Sequence, residues 1–214
     1  MAEPVKRSRR YDSPRRREQA EATRRAILDA AGSLFVRDGY AATTMAAIAA
    51  EAHVSAKTVY LAFESKSGVL RALWHLLLRG DAEDLPVGER TWYREVLEER
   101  DPARQLQLNA RNARRVKERA GPLLGVIRSA AAVDADAAAL WDRIGSEFLA
   151  NQRVIVESLA AKGALRPELD VDRATDVLWM LNHPDVWLLL IGRGWTPEEF
   201  ERWFAGASCS ELLR

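Results

Sequence analysis

The chain has 214 residues, 48% of them hydrophobic, with 32 Lys or Arg against 31 Asp or Glu and a formal net charge of +1. That length allows one large or two small domains with an ample core. The longest apolar run, residues 186–191, is far too short to cross a bilayer, and the single cysteine, Cys209, excludes an intrachain disulfide.

The near-neutral total hides an asymmetry. Residues 1–80 hold 14 Lys or Arg and 8 Asp or Glu, whereas the remainder holds 18 and 23. A basic first third joined to an acidic remainder is expected if only the first part meets a polyanion. Lys6, Arg7, Arg9, Arg10, Arg15, Arg16 and Arg17 lie among two prolines and few apolar residues, so residues 1–17 read as a disordered basic arm able to order along phosphates. A merely solvated tail is the alternative. The N-terminus also lacks the apolar core of a secretory signal, and a cytoplasmic location follows as the default.

Next, Arg24, Ile27, Leu28, Ala30, Ala31, Leu34 and Phe35 form one helical stripe, with Gly39 as its C-terminal stop. Over residues 41–66 two short helices follow. Thr43 or Thr44 caps the first, with Met45, Ile48 and Ala49 on its buried side, and Ser55 caps the second, with Val59 and Phe63 inside. The opposite face of that second helix carries Lys57, Thr58 and Tyr60. An ammonium, a hydroxyl with its methyl and a phenol near a helix N-terminus suit base edges and phosphates in a major groove. Ser65 then caps a long helix through Val69, Leu70, Leu73 and Trp74. One long helix, two short ones and a further long one make a helix-turn-helix domain over residues 18–80.

In these residues the chain resembles the TetR family of bacterial transcriptional repressors, whose first domain runs T-R-x-x-I-L-x-A-A-x-x-L-F-x-x-x-G-Y, then I-A, G-V-S and Y-x-x-F-x-x-K. The matching residues run from Thr23 to Phe35, then Gly39 and Tyr40, Ile48 and Ala49, Val54 and Ser55, and Tyr60, Phe63 and Lys66. The resemblance implies that Lys57 and Thr58 face bases or the groove edge, that Thr44, Tyr60 and Lys66 contact phosphates, and that double-stranded DNA is the partner. Ser55, at the cap, and Arg15, Arg16 and Arg17 of the arm complete the DNA-facing set. One departure is His53, where the family has Gly in the turn. A positive φ is expected there, strained but tolerable for His. As a metal ligand His53 is unsupported, because neither His75 nor His183 lies in a carboxylate or thiol cluster at ligand spacing. No metal and no cofactor is expected.

Residues 80–88, acidic and holding Pro86 and two glycines, read as the domain boundary, with a second domain over 81–214. Beyond it no strand alternation appears. Helical patterns run over 89–100, 102–120, 122–133, 135–162, 171–193 and 196–213, so the fold class is all-α: a helix-turn-helix domain followed by a helical bundle for ligand binding and dimerisation. On the 135–162 helix, Asn151 interrupts the apolar stripe Trp141, Ile144, Phe148, Ile155, Leu159. A buried amide there either bonds within the bundle or gives an apolar pocket its specificity. Asn109, Asn112, Arg128, Asn182 and His183 are similar pocket candidates, and the ligand expected is an uncharged or weakly anionic molecule with a ring system. Arg111, Arg114, Arg115, Lys117 and Arg119 point in too many directions to be one pocket wall and read mostly as solvated surface.

The last two helices carry more large apolar groups than one subunit is expected to cover. Leu181, Leu188, Phe200, Trp203 and Phe204 therefore read as a dimer interface, in line with the resemblance, whose C-terminal helices pair into a four-helix bundle; filling of the subunit's own core is the alternative. Thr196, Pro197 and Glu199 have the pattern of a capping box with proline at N1. No nucleophile and base, phosphate loop or paired carboxylates appear, so no enzyme is expected. The function expected is a ligand-responsive repressor that binds a palindromic operator as a homodimer; a helical protein-interaction adaptor is the alternative.

Overall fold

A computed structural model of the chain describes residues 14–79 and 90–214. Its elements are α1 (Pro14–Ala42), α2 (Met45–Glu51), α3 (Ala56–Phe63), α4 (Lys66–Arg79), α5 (Thr91–Glu98), α6 (Pro102–Ala131), α7 (Ala135–Ala161), α8 (Val171–Leu181), α9 (Pro184–Gly192) and α10 (Pro197–Leu212). Among the described residues there is no strand, and no helix is long and apolar enough to cross a membrane.

Local chemistry sets most of these boundaries. Thr44 caps α2 by accepting from the Ala47 amide at 3.1 Å, Ser55 caps α3 by accepting from Thr58 at the same distance, and Asp101, Asp134 and Asp170 cap α6, α7 and α8. Thr196 and Glu199 form the reciprocal capping box at the start of α10. Gly39, at φ 82°, kinks α1 one turn before its end, a backbone conformation that glycine adopts without strain.

Three expectations need correction. Helix α1 begins at Pro14, so Arg15, Arg16 and Arg17 form its first turn rather than part of a disordered arm; Lys6, Arg7, Arg9 and Arg10 lie outside the described residues. Pro122 does not separate two helices: α6 runs through it, because proline at a helical φ removes one N–H bond while packing on both sides holds the axis. Beside it Gly121 accepts close approach, since a Cβ there would sit 2.7 Å from Trp187 Nε1. Conversely, the pattern over 171–193 is two helices, because Asn182 closes α8 and His183 caps α9, with Pro184 in its first turn. The boundary expected over residues 80–88 lies outside the described residues.

One apolar core joins α1 to α4 with the C-terminal half of α6 and the first half of α7, including Phe35, Trp74, Leu124, Ile127 and Ile144. The other gathers α5, the N-terminal half of α6, the second half of α7 and α8 to α10. Two long helices thus belong to both cores. Fully burying a large apolar side chain contributes about 1.5–3 kcal/mol, so this sharing ties the first four helices firmly to the bundle.

Candidate nucleic-acid interface and ligand pocket

In the turn between α2 and α3, His53 takes φ 55°, as its place in the sequence required, and Glu64 beyond α3 takes φ 64°. Both turns are closed by backbone bonds: Val54 N donates to Ala49 O at 2.9 Å and Glu64 N to Tyr60 O at 2.8 Å. Val59 and Phe63 are buried, which fixes the rotation of α3 and leaves Lys57, Tyr60 and Leu61 exposed with Thr58 at the edge. Thr44 and Ser55 are also exposed, each with its oxygen engaged as a cap.

Leu61, 77% exposed, was not anticipated; its place at i+4 from Lys57 and i+3 from Thr58 is the signal that would have found it. A methyl-bearing side chain on that face suits a thymine methyl. Arg16 of α1 lines the same open groove as Thr58 and Leu61, so the structure brings the first turn of α1 alongside the exposed face of α3.

Two cations hold this face in place instead of pointing away from it. Arg24 Nη1 donates to Ala62 O at 3.0 Å with its guanidinium 4.3 Å from the Phe63 ring centroid, and so stabilises the C-terminal end of α3. Lys66 Nζ donates to Tyr40 O at 2.7 Å and Thr43 O at 3.0 Å while lying over the Tyr40 ring. That departs from a phosphate-contacting role for Lys66: its ammonium clamps the end of α1 and the entry to α2, a contact between residues too far apart in sequence for local spacing to reveal.

The seam between this domain and the bundle is polar. Tyr40 Oη donates to Asp134 Oδ2 at 2.6 Å, and Ser67 Oγ to Asp136 Oδ2 at 3.1 Å. The Asp134 carboxylate is held below its usual range, first by the Tyr40 hydrogen bond, while burial and that same carboxylate push the Tyr40 phenol up.

A narrow pocket opens where the two cores meet. Its empty space, mouth included, is about 630 Å³, and the side chains that line it leave a tight slot. On α6 it is lined by Asn109, Asn112, Ala113, Val116 and Lys117, whose spacing of i, i+3, i+4, i+7 and i+8 is a single helix face. Phe148, Asn151 and Gln152 of α7, Trp92 and Tyr93 of α5, Asn182, and Trp74 and Leu78 of α4 close it. Tyr93 Oη donates to Asn151 O at 3.1 Å, Asn112 Nδ2 to Trp92 O at 3.1 Å, and Asn109 Nδ2 to Gln152 Oε1 at 3.4 Å. Burial pushes the Tyr93 phenol up to about 12.

Asn109, Asn112, Phe148, Asn151 and Asn182 therefore come together as expected candidates. Three others do not. Trp141 and His183 line a separate shallow cleft with Trp179, where His183 Nδ1 accepts from the Asp185 amide as the α9 cap, and Arg128 pairs with Asp185 at 3.1 Å away from the slot. Lys117 is the residue misread: it is fully buried, its ammonium donates to Asn182 Oδ1, and desolvation pulls its pKa down to about 7. Its neighbour Arg114 is mostly covered but compensated, pairing with Glu118 and Glu201, while Arg115 and Arg119 are the exposed members of the cluster.

The interface expectation also changes. Leu181, Phe200 and Phe204 are buried within one subunit, where Phe200 stacks on Phe204 and meets Trp187 edge-on. They belong to its own core. Leu188 and Trp203 remain partly exposed, and Leu189 and Met180 are 67% and 49% exposed.

The family model for bacterial regulatory proteins of the tetR family matches residues 27–73. Over 51 residues the chain is 47% identical to an uncharacterised helix-turn-helix transcriptional regulator, YvkB, of Bacillus subtilis, a match over 24% of this chain and 27% of that relative. The chain thus matches about a quarter of the length of that curated relative. In fold, it is similar to NalD, the secondary repressor of the MexAB-OprM multidrug efflux pump in Pseudomonas aeruginosa, with a TM-score of 0.70 at 21% identity over 91% of this chain and 98% of that one. It is equally similar to SmeT in its complex with triclosan, with a TM-score of 0.70 at 19% identity over 90% and 92%. Its residues 27–73 thus match the model for bacterial regulatory proteins of the tetR family, and about nine-tenths of its length shares the fold of NalD and SmeT.

Proposed function

We propose that this protein is a DNA-binding transcriptional regulator that represses from a palindromic operator as a homodimer and is released by a small apolar or amphipathic effector. One observation carries the reading: α4 touches both sites. Its first residues, Lys66 and Ser67, hold the end of α1 and the first turn of α7, while Trp74 and Leu78 on the same helix line the slot. A ligand that widens the slot displaces α4, and α4 is anchored to the helices that carry Lys57, Thr58, Tyr60 and Leu61. Effector and DNA then oppose each other through one coupling free energy, typically about 1–3 kcal/mol. NalD, named a repressor, and SmeT, solved with triclosan, lend the same reading support by likeness of fold.

Arg15, Arg16 and Arg17 join the exposed face of α3 in meeting phosphates. The partly exposed Leu188 and Trp203, with Leu189 and Met180, are the surface offered to a second subunit. Two subunits are needed because each reader helix occupies one major-groove face and half-sites lie about one helical turn apart.

The test is anisotropy of labelled duplex with the full chain across salt, paired with sedimentation. Binding should weaken by ~1,000-fold or more between 50 and 200 mM salt. The protein should sediment as a dimer at micromolar concentration, and Trp203→Glu as a folded monomer. A protein that binds no duplex even at 50 mM salt is instead a helical adaptor.

A further inference from the structure

Lys117 sits in the slot with full burial and no ion-pair partner among the described residues. Its one hydrogen-bond acceptor there is Asn182 Oδ1, and its ammonium lies 5.4 Å from the ring centroids of both Phe148 and Phe200. An ammonium has three N–H donors, and a buried charge is costly unless paired. Ring faces and one amide oxygen compensate it only in part. A methionine of similar reach would fill this position without that cost, so the amine is an expensive choice for packing alone.

The surroundings define what would complete it. The amides of Asn109, Asn112 and Asn182 line the same slot, the last bonded to the ammonium, while Trp74, Trp92 and Phe148 supply apolar walls. Of the titratable groups near it, Tyr93 on α5 is kept protonated by burial, Glu147 on α7 is exposed, and His183 at the start of α9 is held toward its neutral form, first by burial and partly by Lys117 itself. Helix α10 presents Phe200 and α4 presents Trp74. No described element places a buried carboxylate against the amine.

We propose that the slot takes an amphipathic organic monoanion, a carboxylate on a flat or slender apolar body, with its head on Lys117 Nζ and its body against Trp74, Trp92 and Phe148. This rests on reading the slot as the effector site. A single cation favours one negative charge over two, and an organic cation would meet an unfavourable neighbour. Because burial leaves the amine near half-protonated at neutral pH, an ionised ligand must draw a proton onto Lys117 as it binds.

Calorimetric titration of the full chain with three matched pairs tests this: benzoate and benzamide, 1-naphthoate and 1-naphthamide, decanoate and decanamide. At least one acid should bind tenfold or more tighter than its amide at pH 6.5, and its affinity should fall more than tenfold by pH 8.5 while the amide's stays level. Lys117→Met should erase the preference and keep the amide's affinity. The pH series needs only the unaltered protein, so misfolding of the variant leaves the test intact. Amides equal to acids in all pairs, or a preference that survives both high pH and Lys117→Met, would overturn the anion anchor while leaving the slot a ligand site. Absence of binding by all six compounds overturns both.

Discussion

Lys57 and Lys117 are the same side chain in two regions that use it oppositely. On α3 the lysine stands in water beside Tyr60 and Leu61, held only by the helix that bears it, so its removal costs the fold little. In the slot the lysine is enclosed by aromatic rings and amides, and its charge is itself a strain on the fold. The exposed α3 face keeps its side-chain chemistry apart from the stability of the fold, whereas in the pocket the two share the same atoms.

Trp74→Ala should break that contrast most forcefully, because Trp74 belongs to the first core and also lines the slot. A loss of about 3–5 kcal/mol in denaturant unfolding is expected for such a truncation, together with loss of ligand response. An unfolding midpoint unchanged from wild type would show that the slot is not built into the core.

Lys117→Met sharpens it. The folded-state pKa of about 7 lies below the ordinary lysine value of 10.5, so between these pH values the unfolded chain binds the extra proton and stability rises with pH. Each unit of difference is about 1.4 kcal/mol, so unfolding free energy should grow by a few kcal/mol from pH 7 to pH 10 in the wild type. The variant should lack that increment. Equal pH dependence in both proteins would mean that the amine is not desolvated.

Tyr40→Phe addresses the seam between the regions. It removes a 2.6 Å bond to the Asp134 carboxylate, of a class worth about 1.5–3 kcal/mol. Ligand should then release DNA less completely, measured as the ratio of DNA affinities with and without effector. On the exposed side, Lys57→Ala should cost about 1–3 kcal/mol on the preferred duplex with no change in melting temperature. Equal losses on preferred and random DNA would remove its base-reading role. Smallest is the joint replacement of Arg15, Arg16 and Arg17 by Ala, which should flatten the slope of log affinity against log salt by roughly 0.9 for each phosphate that is no longer neutralised.

What could be read from the sequence follows the range of the interactions involved. The caps at Thr44, Ser55 and Thr196, the break at Gly39, which proves a kink and not the end of α1, and the strained turn at His53 depend on neighbours within four residues, and all are visible as patterns. Lys66 reaching Tyr40 and Thr43 is not, because nothing local distinguishes a lysine that clamps carbonyls from one that meets phosphate. Pro122 and Pro184 show the same limit: one proline is carried inside a helix and the other opens a new one, a choice made by packing. Phe200 and Phe204 look surplus to a single subunit in the sequence, because no local pattern reveals that α6 and α8 lie against α10 and cover them. Lys117 was legible in part, since it stands eight residues after Asn109 on the stripe with Asn112, Ala113 and Val116. Four arginines on other faces of the same helix blur that register in the sequence.

Whether the α3 face reads DNA sequence as part of a two-fold dimer is tested most directly by selection from a randomised duplex library with the full chain at near-physiological salt. A palindromic motif with half-sites about one helical turn apart should be enriched, and Lys57→Ala should alter that motif at a defined position in each half. Recovery of no motif, or of one without two-fold symmetry, would contradict that reading.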